Sequence, residues 1–162
     1  MNLLVGATGF VGGHVVEYLF QQNEISKGVF RKGAHLKILD LNGVQGIEAD
    51  LLDHHSLHEA TEGVETIYNM ASPMPDTDQD FLRVNTEGLS NLLQVARESK
   101  VRSFVHLSTI DVFGFGSPKV QAGAEPRPGN EYQKSKLAAE RILLQFASEN
   151  AVPRIVVIRA AR

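Results

Sequence analysis

The sequence predicts a doubly wound α/β fold: a parallel sheet of about six strands in the order 3-2-1-4-5-6, covered by helices on both faces. Three observations predict it. The chain opens on a short apolar strand that runs into a turn with glycine at every third place and then into a helix. Six β-rich runs alternate with helical stretches along its length. Finally, 162 residues with 43% hydrophobic and 22% charged content suit one domain, which at this size buries roughly 70% of its unfolded surface.

The opening stretch is Leu3-Leu4-Val5-Gly6-Ala7-Thr8-Gly9-Phe10-Val11-Gly12-Gly13-His14, and the amphipathic run Val15 to Phe20 leaves it. A pyrophosphate needs backbone N–H groups at a helix start with no Cβ in the way. Gly6 permits the tight turn, Gly9 lets the backbone approach the phosphate, and Gly12 lets the helix lie close to the sheet. Thr8, Phe10 and Val11 count with them as cofactor-binding residues. The spacing G-x-x-G-x-x-G is one residue longer than the usual dinucleotide fingerprint, so a tightly packed helix start that binds nothing also fits the motif alone.

The remaining β-rich runs are Lys27 to Arg31, Val44 to Glu48, Thr66 to Asn69, Ser103 to Leu107 and Arg154 to Ile158. Right-handed crossovers between parallel strands favour the predicted order and put the ligand crevice at the carboxyl ends of strands 1 and 4. Two helical stretches are long. Phe81 to Ser99 carries Leu82, Leu89, Leu92, Leu93 and Val95, and Glu131 to Asn150 carries Leu137, Ile142, Leu143 and Phe146. These residues suit either the core of a monomer or, in part, a homodimer interface.

Composition excludes several function classes. A net charge of −3 gives no basic footprint for nucleic acid or anionic membrane. No apolar run reaches spanning length, and Met1-Asn2 leads straight into the first strand without a cleavable signal. Cysteine is absent, which removes disulfides and thiolate metal sites and makes the cytoplasm the expected compartment.

The second strand ends in Arg31-Lys32, about 20 positions after the glycine turn. There an acid accepts the ribose 2′-hydroxyl of NAD, whereas an Arg accommodates the 2′-phosphate of NADP. Arg31 therefore favours NADP, with NAD still possible, because a guanidinium pairs with phosphate in a bidentate way. A solvated basic pair on a loop is the alternative. After the third strand, Asp50 could accept from an adenine amino group with Leu51 against the ring; an N-cap role for Asp50 or Asp53 fits the spacing as well. His54 and His58 share a helix face at i, i+4, but no third ligand is evident, and no metal site is expected.

The chemistry belongs to the second half. Ser108-Thr109 follows the apolar strand Ser103 to Leu107, so its hydroxyls emerge beside the crevice. A Gly- and Pro-rich loop, Gly114 to Asn130, leads to Glu131-Tyr132-Gln133-Lys134-Ser135-Lys136, where Tyr132 and Lys136 are i, i+4 and share a helix face. A phenol with a pKa of about 10 is a poor base at neutral pH, and a nearby ammonium lowers that pKa. Tyr132 could then exchange a proton with a substrate alcohol or carbonyl while Thr109 holds the same oxygen and Lys136 reaches a cofactor ribose.

Taken in this order, the motifs resemble those of the extended short-chain dehydrogenase/reductase family, the NAD(P)-dependent epimerases, dehydratases and reductases. The matching stretches are Gly6 to Gly12, Asp50-Leu51, Tyr68-Asn69-Met70-Ala71-Ser72, Val84-Asn85-Thr86-Glu87-Gly88, Val105 to Thr109 through Gly114, Tyr132 to Lys136, and Ile158-Arg159. The resemblance implies a Rossmann fold, with Thr109 as the catalytic hydroxyl, Tyr132 as acid/base and Lys136 as its partner. It also implies that Ala71 and Ser72 lie near the cofactor and that Asn85 is the family's helix asparagine. Ala71-Ser72-Pro73-Met74-Pro75 and Ser108-Thr109 are most similar to the 3β-hydroxysteroid dehydrogenase branch. Val5 departs from the Thr or Ser common before the first glycine.

Members of that family continue beyond the equivalent of Arg159-Ala160-Ala161-Arg162 into a last strand and a small substrate-binding domain. The expected organisation is therefore a dinucleotide-binding domain over 1–162 with the C-terminal substrate-binding domain absent. The expected partner is a small carbonyl or alcohol substrate, sugar-nucleotide or steroid-like. Two functions follow: an oxidoreductase or epimerase that passes hydride between nicotinamide and a secondary alcohol or ketone, or a non-catalytic NADP-binding module that regulates a partner protein.

Overall fold

A computed structural model describes residues 1–24, 26–35, 37–73, 81–114, 120–121 and 123–161. Met74 and Pro75 of the steroid-dehydrogenase resemblance, Arg162 and part of the Gly114 to Asn130 loop lie outside the described residues.

Six parallel strands form one sheet in the order β3-β2-β1-β4-β5-β6, the order the alternating pattern predicts. They are β1 (Asn2–Val5), β2 (Ser26–Phe30), β3 (Gln45–Glu48), β4 (Thr66–Asn69), β5 (Ser103–Thr109) and β6 (Arg154–Ala160). The helices are α1 (Phe10–Gln21), α2 (Lys37–Leu41), α3 (His54–Ala60), α4 (Phe81–Arg83), α5 (Leu89–Glu98) and α6 (Glu131–Glu149).

The central strand β1 shows why the sheet is buried on both faces. Leu3 and Val5 point into one core with α3, α5 and α6, whereas Leu4 points into a second core with Val16 and Leu19 of α1 and Leu39 of α2. Alternate residues of a strand face opposite sides, so a strand covered twice reads as a continuous apolar run. In α5 and α6, Leu89, Leu92, Leu93, Val95, Leu137 and Leu143 are all buried within the monomer, while Leu82 of α4 is half exposed.

Two expectations need correction. Phe81 to Ser99 is not one regular helix, since a π-helical turn, Val84–Gly88, separates α4 from α5. Ser108 and Thr109 do not follow β5 but end it, because β6 pairs with it as far as Thr109 opposite Ala160. The short helix α2 and a 3-10 turn, Ile110–Phe113, have no counterpart among the sequence-based elements.

Candidate active site and its cofactor cleft

The cleft begins at the glycine turn. Gly6 has φ of +83°, and a Cβ there would come within 2.7 Å of the Ala71 backbone nitrogen. A Cβ on Gly12 would overlap the Gly6 carbonyl oxygen. These two glycines therefore fold the turn back on itself and seat α1 against the end of β1. Gly9 stands at the N-cap of α1, with no side-chain hydrogen bond to the helix start and no acidic residue in the first turn. By contrast, Asp53 caps α3 by accepting from His55 N, and Asn130 caps α6 by accepting from Gln133 N. The positive end of α1 thus has no counter-charge of its own in that turn.

A cavity of about 760 Å³ opens over this turn at the carboxyl ends of β1 to β4. Gly6, Thr8, Gly9, Phe10, Arg31, Asp50, Leu51, Ala71 and Ser72 all line it. Nine residues assigned to one cofactor from four separate stretches of sequence are therefore brought to one wall. Val11 and Gly12 are not in the lining; Val11 is exposed on α1, and Gly12 is buried against the turn. Phe10 is 85% exposed, a large aromatic face beside the cleft. Asp50 accepts from Leu52 N at 2.8 Å, which orders the loop after β3, while the N-cap role falls to Asp53. Arg83 of α4 also lines the cavity, and sequence reasoning missed it.

Thr109, Tyr132 and Lys136 stand outside this lining. Thr109 is 9% exposed, and its Oγ1 accepts from Asp111 N at 3.1 Å, capping the 3-10 turn. Tyr132 is half-buried at the start of α6, edge-on to Phe81 with ring centroids 5.8 Å apart. Lys136 is buried, and its Nζ donates to the Leu107 carbonyl at 2.6 Å. Burial pushes its pKa down to about 8, against the upward pull of Glu140. Asn85, in the π-helical turn, donates to Ser135 Oγ at 3.0 Å, and Ser135 Oγ in turn donates to the Tyr132 carbonyl at 2.8 Å. The irregular turn thereby ties α6 to the segment before α5 one turn from Tyr132.

A polar network centred on the buried carboxylate of Glu140 underlies these residues. Ser108 Oγ donates to Glu140 Oε1 at 2.5 Å, Arg159 Nε donates to the same oxygen at 2.9 Å, and Arg159 Nη2 donates to Oε2 at 2.7 Å. The Arg159 guanidinium also stacks over Phe113, 4.9 Å from the ring centroid, and its hydrogen bonds to Glu140 raise its already high pKa. The network clamps β5, α6 and β6 together just below Thr109. Its signal in the sequence was Glu140 four residues after Lys136, on the same helix face.

His54 faces Glu98 at 3.6 Å, and among the described residues no three His, Cys, Asp or Glu side chains gather in a metal-binding group. No helix among the described residues is long and apolar enough to cross a membrane.

A glycine turn packed under an uncapped helix start, at the switch point of a 3-2-1-4-5-6 parallel sheet, defines a Rossmann-type dinucleotide-binding fold. The model of the NAD dependent epimerase/dehydratase family matches residues 2–161, and the chain belongs to that family.

The chain is 32% identical over 146 residues to sterol demethylase protein B of Methylococcus capsulatus, covering 86% of this chain and 44% of that protein. It is 30% identical over 150 residues to the decarboxylating sterol-4-alpha-carboxylate 3-dehydrogenase of Bos taurus, covering 87% and 40%. The solved UDP-glucuronic acid 4-epimerase of Bacillus cereus, in complex with NAD, superposes with a TM-score of 0.83 at 26% identity, covering 99% of this chain and 57% of that one. The chain thus spans less than half the length of these two curated relatives.

Proposed function

We propose that the chain is the cofactor-binding domain of an NAD(P)-dependent oxidoreductase or epimerase/dehydratase acting on a secondary alcohol or ketone. The observation that carries this reading is the convergence of the glycine turn, Arg31, Asp50 and Ala71-Ser72 on one cleft beside an uncapped helix start. The cleft suits a dinucleotide: about 760 Å³ of space lies over an α1 N-terminus with no side-chain cap and no acidic residue in its first turn, with Arg31 and Asp50 in the lining. The α1 N-terminus would hold the pyrophosphate, Asp50 and Leu51 the adenine, and Arg31 the 2′-phosphate of NADP in preference to NAD. A bound nicotinamide supplies the centre that gives or takes the hydride.

The chain's own residues handle the proton. Tyr132 donates it to a carbonyl oxygen or removes it from an alcohol, Thr109 positions that oxygen through its hydroxyl hydrogen, and Lys136 as an ammonium stabilises the phenolate. The substrate class suggested by the relatives' names is a sterol-like or sugar-nucleotide alcohol. A cytoplasmic setting suits both. Turnover with NADPH is tested on sterol 3-ketones and 4-keto sugar nucleotides, with the chain extended to the length of its relatives. Tyr132→Phe lowers the rate by about 10²- to 10⁴-fold while cofactor binding persists. An unchanged rate contradicts the assignment.

One observation favours a second reading, a non-catalytic NADP-binding module: the Lys136 amine is bonded to Leu107 and lies outside the cleft lining. Tight cofactor binding without turnover of any carbonyl, even in the extended chain, would establish it.

A further inference from the structure

His106 lies in the middle of β5, 1% exposed, flanked in the strand by the apolar Val105 and Leu107. Its ring stands between two side chains. Asn69 Nδ2 is 3.2 Å from His106 Nδ1, and Lys136 Nζ is 3.4 Å from His106 Nε2.

The orientation of the Asn69 amide decides the rest. Its Oδ1 accepts from Ala71 N at 3.2 Å, so the group facing His106 is the NH₂, which can only donate. His106 Nδ1 must therefore accept. Burial and the Lys136 charge hold the imidazole neutral, with a pKa lowered to about 3. A neutral imidazole that accepts at Nδ1 carries its hydrogen on Nε2, the nitrogen that faces Lys136.

Lys136 consequently sits between an acceptor, the Leu107 carbonyl at 2.6 Å, and a donor, His106 Nε2–H. A neutral amine satisfies both: one N–H goes to Leu107, and its lone pair accepts from His106. An ammonium satisfies only the first, since its remaining N–H groups meet another N–H.

We infer that His106 is a positioning residue for Lys136: its Nε2–H makes the berth beside Leu107 fit the amine and reject the ammonium, so that protonation sends the side chain out toward Tyr132. The charged and titratable neighbours on the surrounding elements are consistent with this. On α6, Glu140 draws Lys136 toward its charged form, but the Glu140 carboxylate is already engaged by Arg159 of β6 and by Ser108 of β5. Tyr132 lies one turn back on α6, and Asn69 on β4 is neutral. The berth then stores the lysine as an amine and releases it as the cation that the proposed chemistry uses. The consequence for catalysis rests on reading Lys136 as the partner of Tyr132.

The test is nuclear magnetic resonance of the chain labelled with ¹⁵N-histidine and ¹³C-lysine, without cofactor or substrate, so its failure is distinct from a failure of cofactor binding or turnover. At pH 9 His106 is expected as the neutral Nε2–H tautomer, and its Nε2 resonance is expected to move together with the Lys136 ε-carbon near pH 8. In His106→Phe, which keeps a ring of similar size without the donor, the Lys136 midpoint rises by about half a unit or more, because the opposing N–H is gone while the burial of the amine is kept. An Nδ1–H tautomer, a Lys136 titration that leaves His106 unmoved, or an unchanged midpoint in His106→Phe overturns the inference. If His106→Phe does not fold, the tautomer and the coupled titration in the unaltered chain decide it.

Discussion

Replacing Arg159 by methionine keeps the aliphatic stem and removes two of the three donors on a carboxylate that is 4% exposed. Among the described residues Glu140 then keeps Ser108 as its one hydrogen-bond donor, with Lys136 one turn back on α6 as the nearby positive group. Breaking a fully buried ion pair from one side costs about 3–5 kcal/mol, because the surviving charge is left uncompensated. Here the Arg159 side chain is itself 41% exposed, so water reaches the guanidinium end and screens the pair. The expected loss is therefore about 2–3 kcal/mol, a large share of a typical domain's stability. Arg159→Lys keeps the charge but cannot bond both oxygens, and should lose about 1 kcal/mol. Urea unfolding followed by far-ultraviolet circular dichroism measures both. Glu140→Leu combined with Arg159→Met should recover part of the loss, since an apolar pair leaves no buried charge. If Arg159→Met stays within about 0.5 kcal/mol of the parent, or the double variant is no more stable than the sum of the two single losses, the network does not hold β6 to α6 as described.

Two further outcomes follow from the structure. Gly12→Ala forces the α1 backbone away from the Gly6 carbonyl, an overpacking that costs about 1–3 kcal/mol; calorimetry should also show cofactor affinity falling at least tenfold, and an unchanged affinity would mean that α1 does not shape the anion site. His106 has a folded-state pKa of about 3 against an ordinary value of 6.5, so the unfolded chain binds a proton that the folded chain does not. Stability from this residue is present above pH 6.5 and is lost as pH falls, by up to about 3 kcal/mol between pH 6.5 and 4. Urea midpoints at those two pH values in the parent and in His106→Phe separate this loss from that of the carboxylates; parallel pH dependences would refute it.

The fold was readable because its determinants are local. A strand buried on both faces announces itself as an unbroken apolar run, as Leu3-Leu4-Val5 does, and the glycines of the first turn stand where backbone must meet backbone. The cleft was readable for a related reason: in this topology residues at the ends of β1 to β4 converge wherever the crossovers are right-handed, so Arg31 and Asp50 could be placed without knowing any side-chain contact, whereas Ala71 was placed by the family resemblance.

The polar interior was not readable in the same way. Whether Lys136 points to a ribose or to the Leu107 carbonyl depends on what packs around its amine, and there its neighbour His106, with Asn69 on the far side of the ring, lies 30 or more positions away in sequence. Likewise, the role of Glu140 depends on Ser108 and Arg159, which come from two other elements, β5 and β6. The π-helical turn at Val84–Gly88 also escaped the periodic pattern, because one extra residue per turn shifts Leu82 outward without breaking the helical run.

The proposal that this chain binds a nicotinamide dinucleotide through its glycine turn, with Arg31 choosing the phosphorylated form, is tested most directly by calorimetric titration with NADPH and NADH in parallel. Binding of both is predicted, with NADPH favoured about tenfold or more, and with that preference lost in Arg31→Ser while NADH affinity holds. Heat from neither dinucleotide would contradict a cofactor cleft in this chain, and equal affinity for the two would contradict the role given to Arg31.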